Sequence, residues 1–174
     1  LSGDLVVSEN QALDDVVGLE NLDGLRNLSS VSGNLTIHNN ADLQYLNSTP
    51  STSGGLASLV WVGGNLQISA NGTLQDLIGL GSFAGLQIEG NMIIDNNDAV
   101  TTMAGMESLS SVTDLTISNN AGLMDITGLL VLPVGTIQGI LTINFNPLLC
   151  NTLVMEVYII CLCQGSPGNN NSGC

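Results

Sequence analysis

Lysine is absent from this chain, and Arg26 is its one strongly basic residue against fifteen acidic ones, for a net charge of −14. Proteins that grip nucleic acid neutralise phosphates with Lys and Arg, so nucleic acid is not an expected partner. Attachment to an anionic membrane surface fails for the same reason. Charged residues make up only 9% of the chain, against roughly a quarter in an average soluble protein. Exposed polarity must come from Asn, Ser, Thr and Gly instead, and the acidic excess keeps molecules apart by self-repulsion. Long hydrophobic runs are also missing. The nearest, Leu153 to Cys163, carries Glu156 and falls well short of the roughly 20 residues that span a bilayer, so no membrane insertion is expected. Aromatics are scarce at 3% while hydrophobic residues reach 44%. The core of this single domain must therefore be aliphatic, which suits a narrow interior.

What the chain does have is a repeat. Val31-Ser-Gly-Asn-Leu-Thr-Ile-His-Asn-Asn-Ala-Asp-Leu43 is rewritten six times, anchored at Leu5, Leu35, Leu66, Met92, Leu115 and Leu141. Two places after each anchor stands an aliphatic residue, Val7, Ile37, Ile68, Ile94, Ile117 or Ile143. Five places on there is always asparagine: Asn10, Asn40, Asn71, Asn97, Asn120 and Asn146. Eight places on it is aliphatic again, at Leu13, Leu43, Leu74, Val100, Leu123 and Leu149. The anchors are spaced 30, 31, 26, 23 and 26 residues apart. A solenoid tolerates such jumps because insertions go to its loops. Each anchor triplet alternates in-out-in, the period of a strand with one buried face. The expected fold class is therefore all-β: a parallel β-solenoid of about six coils over 1–150, with short helical or irregular corners.

The recurrent asparagines have a physical task. Each carboxamide has two donors and two acceptors, so stacked copies can bond to one another in an internal ladder. Asn97→Ala should be costly and Asn96→Ala almost neutral. The Gly-Asn pairs before the strands, as in Gly33-Asn34 and Gly64-Asn65, suit a corner with positive φ. Val112-Thr-Asp-Leu115 is one residue shorter and lacks the glycine, so its corner should differ. Leucines and methionines at spacings of three, such as Leu19, Leu22, Leu25 and Leu28, fit short helical turns between copies. Asn47 to Gly55, rich in Ser, Thr, Pro and Gly, reads as an exposed inserted loop.

All four cysteines, Cys150, Cys161, Cys163 and Cys174, fall in the last 25 residues. This reads as a C-terminal cap over 151–174, stapled by disulfides in an oxidising compartment. With Cys161 and Cys163 read as strand residues, a bridge between them closes too small a ring. Cys163–Cys174 with Cys150–Cys161 is favoured, and the crossed pairing stays open. Leu1-Ser-Gly-Asp-Leu5 starts directly inside a copy of the repeat, which leads to the expectation that a neighbour or further residues cover that edge.

The pattern V-x-G-N-L-x-I-x-x-N-x-x-L resembles the receptor L-domain family, relatives of the leucine-rich repeats, in its Asn-rich secreted or surface type. The resemblance covers about residues 1–150, and Asn146-Pro-Leu-Leu-Cys150 looks like the family's closing segment. The chain departs from ordinary leucine-rich repeats in placing the next leucine three after the asparagine, not two. The resemblance implies a right-handed solenoid, extracellular, used for recognition or adhesion and without catalytic residues. The cysteine-rich modules that flank receptor L domains are absent from the sequence, so a growth-factor receptor role is not expected.

The chemistry-bearing residues agree with a non-enzyme. His38 is the only histidine, at an outward strand position, and the carboxylates scatter without repeated pairing. Asp95-Asn-Asn-Asp98 looks like the start of a calcium loop, yet no acidic 12-residue frame follows. No cofactor or metal is expected. What remains is the outward strand face: Val6 and Ser8, Thr36 and His38, Gln67 and Ser69, Ile93 and Asp95, Thr116 and Ser118, Thr142 and Asn144. It is polar and weakly charged, a platform for an extracellular protein or glycan, or for copies of the chain itself in a filament or surface layer. Ice binding is a further alternative, against which Gln67, Ile93 and Asp95 break the regular Thr array. Sequons stand at Asn27, Asn34, Asn47, Asn71 and Asn170. Asn71 is assigned to the ladder, so Asn47 in the inserted loop leads as a glycan acceptor, with Asn27 and Asn170 behind it.

Overall fold

The structure, a computed structural model, describes residues 1–11, 18–47, 54–81 and 85–173. Leu13, most of the inserted loop and Cys174 lie outside the described residues. The anchor triplets form β1 (Leu5–Ser8), β3 (Leu35–His38), β5 (Leu66–Ser69), β7 (Met92–Asp95), β9 (Leu115–Ser118) and β10 (Ile140–Asn144). Together with β11 (Gln164–Pro167) they make a seven-stranded sheet in the order β1-β3-β5-β7-β9-β10-β11. Between them lie β2 (Ser30–Val31), β4 (Trp61–Val62), β6 (Leu86–Ile88) and β8 (Leu109–Ser111), a four-stranded sheet in that order. Every pairing is parallel and anchor stands against anchor: Leu5 on Leu35, Leu35 on Leu66, Leu66 on Met92. The result is mostly parallel strand in two sheets with little helix, compatible with a solenoid-like stack.

The register explains the core. Leu35, Ile37, Leu66, Ile68, Met92, Ile94, Leu115, Ile117, Leu141 and Ile143 are all buried, as are Val31, Val62 and Ile88 of the second sheet and Val112 just after β8. The aliphatics eight places after the anchors, Leu43, Leu74, Val100, Leu123 and Leu149, are buried as well. Each such side chain contributes about 1.5–3 kcal/mol when removed from water. Like sits on like at the strand spacing, so one aliphatic shape fills each column and rings are not needed. Short 3-10 turns connect the sheets at Asp23–Leu25, Met106–Ser108 and Thr127–Leu129. β6 and β8 pair with a register shift, Leu86 standing on Leu109 and Gln87 on Ser111, just ahead of the shortened corner.

The glycines before the strands act otherwise than the sequence suggests. Positive φ is found at Gly3, Gly55, Gly79, Gly81, Gly85, Gly105, Gly135 and Gly165, not at Gly33, Gly64 or Gly90. These three are required by close approach. A Cβ on Gly64 would stand 2.6 Å from Asn34 Oδ1 and 2.9 Å from the Gly33 carbonyl carbon. Positive φ falls instead on Glu9, Asn39, Ala70, Asn96, Asn119 and Phe145, with φ between 53° and 57°, each directly before a recurrent asparagine. That left-handed residue breaks the strand's alternation, so that the next side chain enters the interior. It costs about 1–2 kcal/mol for an ordinary residue and less for Asn. Asn96 is therefore not a neutral position, contrary to the sequence expectation, because its backbone conformation favours Asn or Gly.

The C-terminal segment departs furthest from expectation. Cys161 does not lie on a strand: Asn151–Cys161 is the α-helix α1. Leu162 then adopts φ 54°, which swings Cys163 back beside the helix end with a Cα–Cα distance of 5.1 Å, and Cys161 bonds to Cys163. This corrects both pairings drawn from the sequence. The tight ring is reached through a helix end and a left-handed residue, a geometry that an extended strand does not offer. Cys150 is also disulfide-bonded.

Tyr158 of α1 donates its hydroxyl to the Leu141 carbonyl at 2.7 Å, tying α1 to the sheet. Burial raises the Tyr158 pKa, opposed by a backbone hydrogen bond from Ile143. An acid whose folded pKa is raised leaves stability intact below its unfolded value of about 10 and loses it as pH rises from there through the folded pKa. Tyr158→Phe should cost about 1 kcal/mol at neutral pH and should flatten the fall in stability above pH 10. Chemical denaturation at pH 7 and pH 10.5 measures both, and a variant with the wild-type alkaline slope contradicts the assignment.

Candidate functional site

Two columns of side chains run across the outward face of the seven-stranded sheet. Strand register aligns Val6, Thr36, Gln67, Ile93, Thr116 and Thr142 in one, and Ser8, His38, Ser69, Asp95, Ser118 and Asn144 in the other. The sequence-derived face residues thus come together on one surface. They are not equally available. Ser69 and Ser118 are buried. Gln67 Nε2 donates to Ser69 Oγ at 3.0 Å. Asp95 Oδ1 accepts from Ser118 Oγ at 2.6 Å and from Asn119 Nδ2 at 2.8 Å. Asp95 is thereby committed to its neighbours. The hydroxyls of Ser8, Thr36, Thr116 and Thr142, with His38 and Asn144, are among the polar groups the face can offer a partner.

Directly beside this face runs the asparagine column, and it is more extensive than the sequence indicates. Asn40 N and Nδ2 both donate to Asn71 Oδ1 at 3.1 Å. Asn71 does the same to Asn97, Asn97 to Asn120, and Asn120 to Asn146. Asn10 engages Asn40 in the same way at the exposed end. The second amide hydrogen reaches back one strand: Asn71 Nδ2 to Ile37 O and Asn97 Nδ2 to Ile68 O, each at 3.0 Å. Asn40, Asn71, Asn97, Asn120 and Asn146 are wholly buried. Asn170 adds a seventh rung, its Oδ1 accepting from Asn146 N at 3.0 Å and its Nδ2 donating to Ile143 O at 2.9 Å. A second column at the other strand ends was missed in the sequence. Asn34 N donates to Asp4 Oδ1, Asn65 N to Asn34 Oδ1, Asn91 N to Asn65 Oδ1 and Ile140 N to Asp114 Oδ1, at 2.6 to 2.8 Å. The signal was the Gly-Asn pair itself, whose asparagine serves the neighbouring strand rather than its own corner.

Carboxylates with displaced titration lie at corners, away from this face. Asp76 is raised, chiefly by burial, against the lowering Ile78 backbone hydrogen bond. Asp125 is lowered by the Thr127 backbone hydrogen bond and then by the Thr127 and Thr102 side chains, which outweigh its slight burial. Among the described residues no group of three or more His, Cys, Asp or Glu could hold a metal ion, and no helix is long and apolar enough to cross a membrane.

Two glycan assignments change. Asn47, the leading candidate, is only 3% exposed, because its side chain packs between Gly54 and Gly79. Asn170 is a rung of the column. No known protein family model matches the chain. No curated protein and no solved structure matches it either.

Proposed function

We propose that this chain is a non-catalytic, extracellular recognition or adhesion module of the receptor L-domain type. In this reading it is wound as a right-handed parallel β-solenoid of about six coils, capped by its disulfide-bonded C-terminal segment. It engages a protein or glycan through the outward face of the seven-stranded sheet. The observation that supports this most is the aligned column holding Thr36, Thr116 and Thr142, uncharged donor-acceptor groups on a parallel sheet. Groups held in place by strands and by a buried asparagine column lose little freedom on binding, which is where affinity for a polar ligand is gained.

A panel of immobilised oligosaccharides and extracellular glycoproteins tests the reading. The chain should be retained by at least one member. The double variant Thr116→Lys, Thr142→Lys should lose retention at least about 10-fold, the equivalent of 1.4 kcal/mol, with an unchanged unfolding temperature. Retention that survives the double variant, or no retention anywhere on the panel, removes the sheet face as the binding surface.

One observation favours a second reading, a structural subunit of a filament or surface layer. Met155, Ile159 and Leu162 are 45%, 67% and 74% exposed, an apolar stripe on the capping segment that end-to-end contact would cover. Light scattering separates the two, since a mass that grows with concentration belongs to the filament.

A further inference from the structure

We propose that Asn27 is the N-glycosylation site of this chain. Four of its five sequons place the acceptor amide where the fold already uses or encloses it. Asn71 is wholly buried and spends both amide hydrogens, on Ile37 O and Asn97 Oδ1. Asn170 is bonded on both sides of its column position: its Oδ1 accepts from Asn146 N and Nδ2, and its Nδ2 donates to Ile143 O. Asn34 stands between Asp4 and Asn65 at the corner, with Nδ2 on Asp4 Oδ1 at 3.3 Å. Asn47 is 3% exposed. A sugar on Asn71 removes an amide hydrogen the column needs, one on Asn47 demands space in a closed interior, and one on Asn34 or Asn170 must be built on an amide already bonded within a column.

Asn27-Leu28-Ser29 differs in every respect. Asn27 and Ser29 are exposed, in the turn that follows the Asp23–Leu25 helix and precedes β2. Leu28 lies between them with its side chain partly buried against the core. Its N–H is held by the Leu25 carbonyl at 2.8 Å, so the two polar side chains of the sequon stand on a braced turn. The turn leads into the four-stranded sheet, so a glycan there leaves the Thr36–Thr142 face open. The transfer joins Asn27 Nδ2 to the anomeric carbon of an oligosaccharide carried on a lipid diphosphate. The carbon–oxygen bond to the diphosphate breaks, the diphosphate leaves with the electron pair, and the amide gives up one proton. Transfer precedes folding, so the fold acts as a selector: chains modified inside a column do not reach the native state.

Use of the site in nature rests on the extracellular reading, whose own failure shows as free thiols in the native protein. The site itself is tested separately by secreting the full chain from a glycosylating eukaryotic host and mapping the folded, secreted fraction by mass spectrometry. One glycan is expected on Asn27 and none on Asn34, Asn47, Asn71 or Asn170. Asn27→Gln and Ser29→Ala should each remove that one glycan, the second while leaving the asparagine in place. An unmodified Asn27, a glycan on any of the other four, or a mass unchanged by Ser29→Ala overturns the proposal.

Discussion

Asn97→Ala is expected to cost about 3–4 kcal/mol, whereas Asn10→Ala costs about 1 kcal/mol or less. The chemistry deleted is the same, and burial makes the difference. At Asn97 the truncation leaves the Asn71 backbone N–H, one Asn71 amide hydrogen and the Ile68 carbonyl without their partners. No water replaces them where Asn71 and Asn97 are wholly buried. Each such orphaned group costs about 1–3 kcal/mol. At Asn10 the side chain is exposed at the end of the column, and water takes over. For a domain of this size the Asn97 loss corresponds to a fall of roughly 10 °C in unfolding temperature. Thermal unfolding of the two variants side by side decides it. Equal losses would mean that the column is held by the sheet and contributes little itself. Asn96→Ala lies between them, since it loses only the residue type best suited to φ 56°.

Gly105→Ala is expected to be as damaging, and for a reason unrelated to hydrogen bonding. Gly105 has φ 102°, a conformation in which an L side chain is strained, at about 1–3 kcal/mol. The added Cβ would also be driven into the backbone of the preceding repeat, against Leu77 O, Leu77 C and Ile78 N. Backbone there cannot swing aside as a side chain would, because Leu77 N is itself bonded to Ala104 O at 3.2 Å. Strain and overpacking together amount to about 3–5 kcal/mol. Gly24→Ala is the matched control: nothing lies within 4 Å of its added Cβ and its φ is not positive. That variant should be neutral or more stable by up to about 1 kcal/mol, through loss of freedom in the unfolded chain. Denaturant midpoints for the pair measure the contrast, and a tolerated Gly105→Ala would show that the two repeats do not approach as closely as described.

The repeat makes much of this molecule legible from its sequence alone. Alternation with period two in Leu35-Thr-Ile37 and its equivalents dictates which side chains face inward. The constant offset from anchor to asparagine dictates that Asn stacks on Asn. Scarcity of rings and of charge dictates an aliphatic interior and a surface whose polarity comes mostly from Asn, Ser, Thr and Gly, with its sparse charge almost wholly acidic. These are local or periodic properties, and a sequence displays them directly.

Tertiary structure alone decided the rest. The seventh strand is invisible in the sequence because Gly165 and Pro167 occupy the registers of Leu141 and Ile143. The space such side chains would fill is taken by α1, whose Val154, Val157 and Tyr158 are buried. Residues 151–161 are apolar nearly all round, so period could not tell helix from strand, and the cysteine pairing followed that choice wrongly. Gly33, Gly64 and Gly90 carry no local mark that distinguishes a required φ from a required closeness to another repeat. Asn47 and Asn27 are both sequon asparagines in polar, turn-rich surroundings. Which is enclosed and which stands in solvent depends on residues dozens of positions away, Gly79 packing against the first, and only the folded chain brings those distances to nothing.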